Sequence, residues 1–366
     1  MNSAPSSQPM NIIIACGGTG GHLFPGIAVA QQLRSMGHHP VLLISRKEVD
    51  AEASRKYGDL KFHTVPAIAK PPTFSLRMPR FLWQLFCTYR RCRAIIRQER
   101  ADVVLGMGGF TSLPPVKAGY DMGLCTYVHD SNALPGKANR TTARWCTRVL
   151  VGLKEAIPYF PGIRCELTGT PVREELRHLP SPQEARARLN LPQDKPLILV
   201  TGGSQGARNL NSLLIDAAKA DPAVHYLVIA GQQDFPRVQE LAAGAENITV
   251  LGFCADMAAA YAAADGVIAR AGASTLTELS LIGKATLLIP YPFAADDHQS
   301  HNARAFTTCG AAIMHRQADL TTEKVHHFVH HTVLDPAARR SMEEAMRTLS
   351  RPDAAQSIAQ VITTTA

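Results

Sequence analysis

The amino-acid sequence predicts an α/β protein built from two doubly wound parallel sheets. From Asn11 onward, short apolar runs alternate with helical segments, which is the pattern of successive β-α-β units. Glycine-rich turns follow several of these runs, at the carboxyl ends of the expected strands, where open α/β sheets bind ligands. The turn that begins at Gly17 is echoed at Gly202, about 185 residues further on, so we expect two similar domains with a cleft between them.

The individual strands are placed by the apolar runs. In the first half these lie at 12–15, 41–44, 62–65, 102–105, 125–129 and 148–151, and in the second half at 196–200, 226–230, 248–251, 266–269 and 286–289. Helical patterns cover 23–36, 80–100 and most of the chain after 321. We therefore predict a flexible tail at 1–10, a first domain at 11–170 and a second domain that begins at 171.

The composition argues against several classes of protein. The chain is 46% hydrophobic and 19% charged, as in ordinary globular proteins. No apolar run reaches the roughly 18 residues of a membrane-spanning helix, and the polar start is not that of a secretory signal. The eight cysteines form no C-x-x-C pair and have no spaced histidines, which indicates reduced thiols in a cytoplasm, with neither disulfides nor a metal site.

Positive charge is concentrated in one segment. The formal net charge is +8, and 70–100 alone holds eight basic residues and one acidic residue. Because the positive charge is confined to one segment, it argues against nucleic-acid binding and favours binding to one anionic surface. Basic and apolar side chains together suit an anionic bilayer, although a solvated helix with an ordinary buried face fits the composition equally well. The candidate membrane-associating residues are Arg80, Phe81, Leu82, Trp83, Phe86, Arg90, Arg91 and Arg93.

The glycine-rich turn 17–21 is followed at once by His22. Its glycines allow another molecule to approach the backbone, and the following helix start favours an anion. The spacing matches neither a P-loop nor the G-x-G-x-x-G dinucleotide fingerprint. His22 is therefore either a base beside a bound sugar or an ordinary capping or packed side chain, and this stretch alone leaves both interpretations open.

Further turns carry polar or small residues at strand ends. In the first half these are 106–110 and His129–Asn132, where no second spaced partner supports a metal site. In the second half, Ala273, Ser274 and Thr275 open a helix whose N-terminus favours a diphosphate. Glu278 lies one turn later, where its carboxylate can accept two hydrogen bonds from a ribose diol, or serve merely as a first-turn glutamate.

Taken in order, these motifs resemble the MurG family, the UDP-N-acetylglucosamine:undecaprenyl-pyrophosphoryl-muramyl-pentapeptide N-acetylglucosaminyltransferases of peptidoglycan synthesis. The matching stretches are 17–26, 106–109, 129–132, 169–173, 202–208, 256–261, 270–273, 298–299 and 302–303. Each motif alone is weak, but the ordered set is specific and covers nearly the whole chain from Asn11.

The resemblance implies a GT-B fold, with two Rossmann-like domains facing across a cleft, the acceptor bound by the first and the UDP-sugar by the second, at 171–349. A final helix at 350–366 is expected to pack back on the first domain. The implied reaction is inverting and joins GlcNAc to the 4-hydroxyl of MurNAc in lipid I, giving lipid II. No cofactor or metal is expected. The implied location is peripheral, on the cytoplasmic face of the plasma membrane, with other cell-wall synthesis proteins as partners.

The resemblance also assigns residues. His22 is the implied catalytic base, with Asp130 or a water as the alternative. The implied acceptor side comprises Thr19, His22, Gly108, Gly109, His129, Asp130 and Asn132. The implied UDP-GlcNAc site comprises Thr19, Gly20, Gly21, Asn132, Arg173, Ser204, Gln205, Cys254, Ala273, Ser274, Thr275, Glu278, His298 and Gln299.

Some positions depart from the family pattern, and other functions remain open. Phe110 stands where tyrosine is common, and Asp130–Ser131 replaces a common Glu-Gln, so details of acceptor binding are in doubt. A transferase with another lipid acceptor, such as a diacylglycerol, would share the donor half. A UDP-GlcNAc 2-epimerase would need acidic residues in the cleft. A non-catalytic peripheral membrane protein would not need His22.

Overall fold

The computed structural model describes residues 8–18, 20–45, 55–66, 76–202 and 208–364. The chain divides into two compact units, unit 1 (1–173 with 351–366) and unit 2 (174–350). Each unit is built on one parallel sheet. The predicted class, α/β with two doubly wound sheets, is confirmed.

Unit 1 contains a seven-stranded sheet in the order β3-β2-β1-β4-β5-β6-β7. Its strands are β1 (Asn11–Ala15), β2 (His39–Ile44), β3 (Lys61–Thr64), β4 (Val103–Gly106), β5 (Cys125–Asp130), β6 (Arg148–Val151) and β7 (Cys165–Leu167). The helices are α1 (Gly20–Ser35), α2 (Met78–Gln98), α3 (Leu113–Asp121), α4 (Lys137–Thr142) and a C-terminal helix described below. The winding direction reverses between β1 and β4, and such a switch point is where open α/β sheets bind ligands.

The central strands form because nearly every side chain on them is apolar and both faces of the sheet are covered. Ile13 is fully buried and lies opposite Val41 on one side and Val104 on the other. The helix Ala354–Thr364 completes this core, since Ile358 and Ile362 are fully buried in the same cluster as residues of α1. Unit 1 is thus built from two segments that are far apart in the sequence.

Unit 2 contains a six-stranded sheet in the order β10-β9-β8-β11-β12-β13. Its strands are β8 (Leu197–Thr201), β9 (His225–Ile229), β10 (Ile248–Leu251), β11 (Gly266–Ala269), β12 (Ala285–Leu288) and β13 (Ile313–Met314). The helices are α5 (Pro182–Arg188), α6 (Arg208–Lys219), α7 (Phe235–Leu241), α8 (Met257–Ala263), α9 (Ala273–Ile282), α10 (His298–Thr307), α11 (Thr322–Phe328) and α12 (Pro336–Thr348). The helix of unit 1 at Ala354–Thr364 is α13. The switch point of this sheet lies between β8 and β11.

Most predicted strands are observed within one or two residues of the expected bounds, but two edge strands were not predicted. β7 has three residues and β13 has two, and all five are only partly buried. Such short strands carry no continuous apolar run, so their pairing depends on the neighbouring strand rather than on their own pattern. Among the helices of the described residues, none is long and apolar enough to cross a membrane.

Candidate active site

Two glycine turns meet at the switch point of unit 1. Gly17 and Gly18 follow β1, and Gly108 and Gly109 follow β4. The hydroxyl of Thr111 donates a hydrogen bond of 2.8 Å to the carbonyl of Gly17, which fastens the second turn to the first. Gly18 and Gly108 have φ angles of 114° and 113°, a region that side chains rarely adopt. The carboxyl ends of β1 and β4 therefore form one rigid cradle.

His22 lies in this cradle. A β-carbon added to Gly108 would stand 2.9 Å from Cε1 of the imidazole, and one added to Gly109 would stand 3.3 Å from Nε2. Burial lowers the pKa of His22, and the carboxylate of Asp130 and the backbone of Met107 only partly oppose this shift. The ring is therefore neutral at physiological pH and able to accept a proton.

One ring nitrogen of His22 is enclosed by the protein. Nδ1 is buried and lacks a hydrogen bond of good geometry within the described residues. In this conformation Nδ1 therefore cannot contact a ligand.

Asp130 ends β5 and is 2% exposed. Its Oδ1 accepts hydrogen bonds from the backbone and side-chain nitrogens of Asn132, at 2.9 and 3.2 Å. Its Oδ2 accepts from the backbone of Gly136 at 3.1 Å and from the side chain of Asn139 at 2.7 Å. These four donors use the acceptor capacity of the carboxylate.

Asn139 of α4 joins three parts of the site, although its position in the sequence gives no sign of this. Its Oδ1 accepts from the backbone N–H of Gly109 at 3.0 Å. Its Nδ2 donates to the carbonyl of His129 at 3.2 Å and to Asp130. Asn139 is 4% exposed in a short helix of mostly polar sequence, so no periodic pattern marks it as inward-facing.

His129, predicted on the acceptor side, is fully buried in β5. Its Nε2 donates to the carbonyl of Gly169 at 2.8 Å, and burial lowers the pKa of the ring. Its side chain therefore has no surface to offer a ligand in this conformation and links β5 to the segment after β7. Asn132 is half-buried and turned onto Asp130.

The remaining predicted residues of unit 1 lie near the start of α1. Gly20 and Gly21 are its first two residues, and both are half-buried. The guanidinium of Arg173 stacks over the ring of Phe24, 5.3 Å from its centre, one turn along the same helix. Thr19, predicted for both ligands, lies outside the described residues.

In unit 2, α9 begins directly after β11, at the switch point. Gly272 precedes the helix with extended backbone, and Ala273, Ser274 and Thr275 form a partly exposed first turn. The first N–H groups of a helix have no partners inside the helix, so this turn can bind an anion. Asn302 of α10, fully buried, donates to the carbonyl of Ala271 at 3.2 Å and fixes α10 to the turn that precedes α9.

Glu278 lies one turn into α9 and is half-buried. The hydroxyl of the buried Tyr261 donates to its Oε2 at 3.0 Å, which holds the carboxylate in place. Cys254 follows β10 and is buried, and this burial raises the pKa of its thiol. The neighbouring Phe253 is 68% exposed.

His298 and Gln299 start α10 after two residues with left-handed backbone, Asp296 and Asp297, at φ 52° and 54°. Nδ1 of His298 donates to the carbonyl of Ala295 at 2.8 Å, and Oε1 of Gln299 accepts from the backbone of Tyr291 at 2.9 Å. Strained backbone of this kind persists where the surroundings hold it, often at ligand sites. Ser204 and Gln205, also predicted here, lie outside the described residues.

The basic helix α2 presents an apolar patch. Leu82, Trp83 and Phe86 are 55%, 67% and 49% exposed. Phe81, predicted among the membrane-associating residues, is instead buried, and its ring packs edge-on against Phe110 at 6.2 Å. The helix turns Phe81 toward the sheet because it lies on the same face as Thr88 and Cys92, which are also buried. Of the predicted arginines, Arg80, Arg90 and Arg91 are exposed and Arg93 is half-buried.

Both units match family models. Residues 12–151 match the glycosyltransferase family 28 N-terminal domain, and 197–358 match the C-terminal domain of that family. The UDP-N-acetylglucosamine--N-acetylmuramyl-(pentapeptide) pyrophosphoryl-undecaprenol N-acetylglucosamine transferase of Myxococcus xanthus is 35% identical over 360 residues, covering 96% of this chain and 92% of the relative. The crystal structure of Acinetobacter baumannii MurG superposes with a TM-score of 0.77 at 28% identity, covering 97% of this chain and all of that one. The chain belongs to the MurG family.

Membership of the MurG family confirms the predicted GT-B fold class and the prediction of a glycosyltransferase. A UDP-GlcNAc 2-epimerase from Neisseria meningitidis also superposes, with a TM-score of 0.69, but it is only 13% identical over 96% of this chain and 99% of its own. That likeness shows a shared fold alone. The cradle around His22 and the first turn of α9 lie at the switch points of the two sheets.

Proposed function

We propose that this chain transfers N-acetylglucosamine from UDP-GlcNAc to the 4-hydroxyl of the N-acetylmuramyl group of lipid I, forming lipid II for peptidoglycan. The observation that carries the proposal is the neutral imidazole of His22, fitted against two glycines at the switch point of unit 1. The full-length similarity to N-acetylglucosamine transferases supplies the donor and acceptor classes.

His22 is the proposed base. Its Nε2 would take the proton of the acceptor hydroxyl while that oxygen attacks the anomeric carbon of the donor, and the bond to the UDP oxygen breaks with inversion. Asp130, the alternative base, already receives four hydrogen bonds, so its oxygens are engaged in holding the site together. We assign Asp130 and Asn139 to positioning and His22 to proton transfer.

Unit 2 is proposed to hold the donor. The partly exposed first turn of α9 offers backbone N–H groups to the diphosphate and stabilises the negative charge that develops as UDP departs. Glu278, held by Tyr261, would accept hydrogen bonds from the ribose diol. The absence of a metal requirement remains a prediction from the sequence, which an assay containing EDTA tests.

The central experiment measures transfer of radiolabelled GlcNAc from UDP-GlcNAc to a lipid I analogue, with and without EDTA. We expect product in both conditions. His22→Ala should lower turnover by about 10²-fold or more, because general-base catalysis contributes roughly that factor. His38→Ala is the matched control, because His38 is a buried histidine of unit 1 whose pKa is also lowered by burial but which plays no part in the site.

The outcomes separate the alternatives. Near-normal turnover of His22→Ala would remove His22 as the base. Epimerisation of UDP-GlcNAc without transfer would favour the epimerase, and transfer only to diacylglycerol would favour the other lipid acceptor. No catalysis at all, with retained vesicle binding, would favour a non-catalytic membrane protein.

We further propose that α2 attaches the protein to the cytoplasmic face of the plasma membrane. The support is the exposed pair Trp83 and Phe86, with ring centroids 6.0 Å apart, beside exposed arginines. Replacing both aromatics by serine should reduce co-sedimentation with anionic vesicles several-fold, whereas Phe293→Ser in unit 2, where the ring is even more exposed, should not. If the double variant still binds the vesicles as the wild type does, the patch has only a structural role and does not attach the protein to the membrane.

A further inference from the structure

A pocket of about 540 Å³ lies in unit 1, beside α4, the helix that carries Asn139. Its lining residues are Lys137, Arg140, Thr141, Arg144, Tyr159, Phe160, Pro161 and Ile163. The first four belong to α4 and the turn that follows it, and the last four belong to the turn after β6. One wall is therefore cationic and the other largely aromatic and apolar, and no lining residue is acidic.

The two arginines of this pocket are not neutralised by the protein. Within the described residues, neither Arg140 nor Arg144 makes an ion pair or a side-chain hydrogen bond, and Nε of Arg140 is buried without a partner. A buried donor left without an acceptor costs free energy, which a bound anion would recover. A planar guanidinium is best matched by a carboxylate or a phosphate, which it can bind through two parallel hydrogen bonds.

The pocket is connected to the catalytic cradle through α4. The N–H of Gly136, just before the helix, donates to Asp130, and Asn139 contacts the turn at Gly109. Along a helix each residue advances about 1.5 Å, so the cationic wall extends roughly 10 Å from Lys137 to Arg144. A β-carbon added to Gly109 would stand 3.3 Å from the His22 ring, and Asn139, which Gly109 contacts, directly precedes Arg140 in the chain. An extended five-residue peptide spans up to about 17 Å, which exceeds the length of the cationic wall.

We propose that this pocket binds the C-terminal carboxylate of the acceptor's pentapeptide, with Arg140 and Arg144 as its ligands. The inference rests on the proposed function, since a pentapeptide is part of the acceptor named for the relatives. Phe160 and Ile163 would pack against the side chains of the last residues. The pocket thus selects an acceptor whose peptide is complete and ends in a free acid.

The test compares two lipid I analogues that differ only at the peptide terminus, one a free carboxylate and one an amide. For the wild type, we expect kcat/KM to be about 10-fold or more higher with the carboxylate, the effect of a charge-assisted hydrogen-bond pair. In the double variant Arg140→Gln with Arg144→Gln, kcat/KM should fall by about the same factor with the carboxylate analogue and should not change with the amide analogue. The KM for UDP-GlcNAc should stay unchanged. Lys154→Gln with Arg164→Gln, two exposed cations outside the pocket, is the matched control.

Equilibrium binding of the free-acid and amide pentapeptides is measured in parallel, together with thermal unfolding of each variant. If the wild type transfers to neither analogue, the proposed function fails, and the binding data still decide the inference. Equal losses with both analogues would overturn the carboxylate assignment. A third outcome is that the wild type binds both peptides equally and that the double glutamine variant binds phosphatidylglycerol vesicles less tightly than the wild type. This outcome would overturn the proposal in favour of a lipid headgroup. Arg140→Lys with Arg144→Lys retains the charges and should restore only part of the preference.

Discussion

The imidazole of His22 occupies the space that a side chain at position 108 would fill, because a β-carbon on Gly108 would lie 2.9 Å from its Cε1. The glycine turn after β4 thus leaves room at the switch point for the imidazole ring, which is carried by α1. The position of the proposed base depends on two elements that are about 85 residues apart in the sequence.

Gly108→Ala should therefore displace His22. The new methyl group would overlap the ring, and the φ angle of 113° is unfavourable for alanine. We expect turnover to fall by about 10-fold or more while UDP binding to unit 2 is retained, as measured by transfer rates and by titration with UDP. Gly123→Ala is a control for strain alone, since it also has a positive φ angle but nothing within 4 Å of the added carbon. Equal losses in both variants would contradict the steric argument.

Asn139→Ala should weaken both activity and stability. It removes the acceptor for Gly109 and donors to His129 and Asp130, and each buried group left unpaired costs about 1–3 kcal/mol. We expect a lower melting temperature and a turnover decrease of about 10-fold, from thermal unfolding and transfer assays. Asn139→Asp keeps the acceptor for Gly109 but brings a second carboxylate against Asp130, and it should not rescue activity. Normal turnover in either variant would show that the network does not position the base.

Tyr261→Phe tests how the carboxylate that we propose to bind the ribose is held. The change removes the hydroxyl that donates to Glu278 at 3.0 Å while it preserves the packing of the buried ring. We expect the KM for UDP-GlcNAc to rise about 3- to 10-fold with little change in kcat, and Glu278→Ala to raise it further. Initial rates at varied donor concentration measure both. An unchanged donor KM in Glu278→Ala would exclude the carboxylate from donor binding.

Stability should decrease on mild acidification. Burial lowers the pKa of His129 below its ordinary value of 6.5, so the unfolded chain binds a proton more readily than the folded one. The stabilisation from its neutral form is complete above about pH 6.5 and is lost as the pH falls below that value. The same direction of pKa shift holds for His22, His38, His225 and His315.

His129→Gln separates this effect from general acid sensitivity. The amide can still donate to the carbonyl of Gly169 but does not titrate. We expect a shallower slope of the free energy of unfolding against pH between about 5 and 6.5. Urea denaturation at a series of pH values measures it, and a slope as steep as that of the wild type would contradict the assignment.

The sequence predicts the sheets well because buried parallel strands are continuous apolar runs, as Ile12–Ile14 illustrate. It also proposes His22, Asp130 and Glu278 as site residues, since each comes after an expected strand, and their roles stay predictions. It does not predict Asn139, because a polar residue in a polar helix carries no sign of its direction. Nor could it tell that Phe81 faces inward while Trp83 faces outward, since both lie in one aromatic run and only packing against Phe110 separates them.

The helix Ala354–Thr364 has a consequence for the order in which this protein acquires its shape. Ile358 and Ile362 are needed to seal the core of unit 1, yet the ribosome makes them only after all of 174–350 has been synthesised. The segment 174–350 is contiguous and can fold while synthesis continues. Unit 1 must keep part of its apolar surface uncovered until a contact between distant segments forms, which is the slow kind of folding step. The proposed catalytic half is therefore the last to mature, although it is the first to be translated.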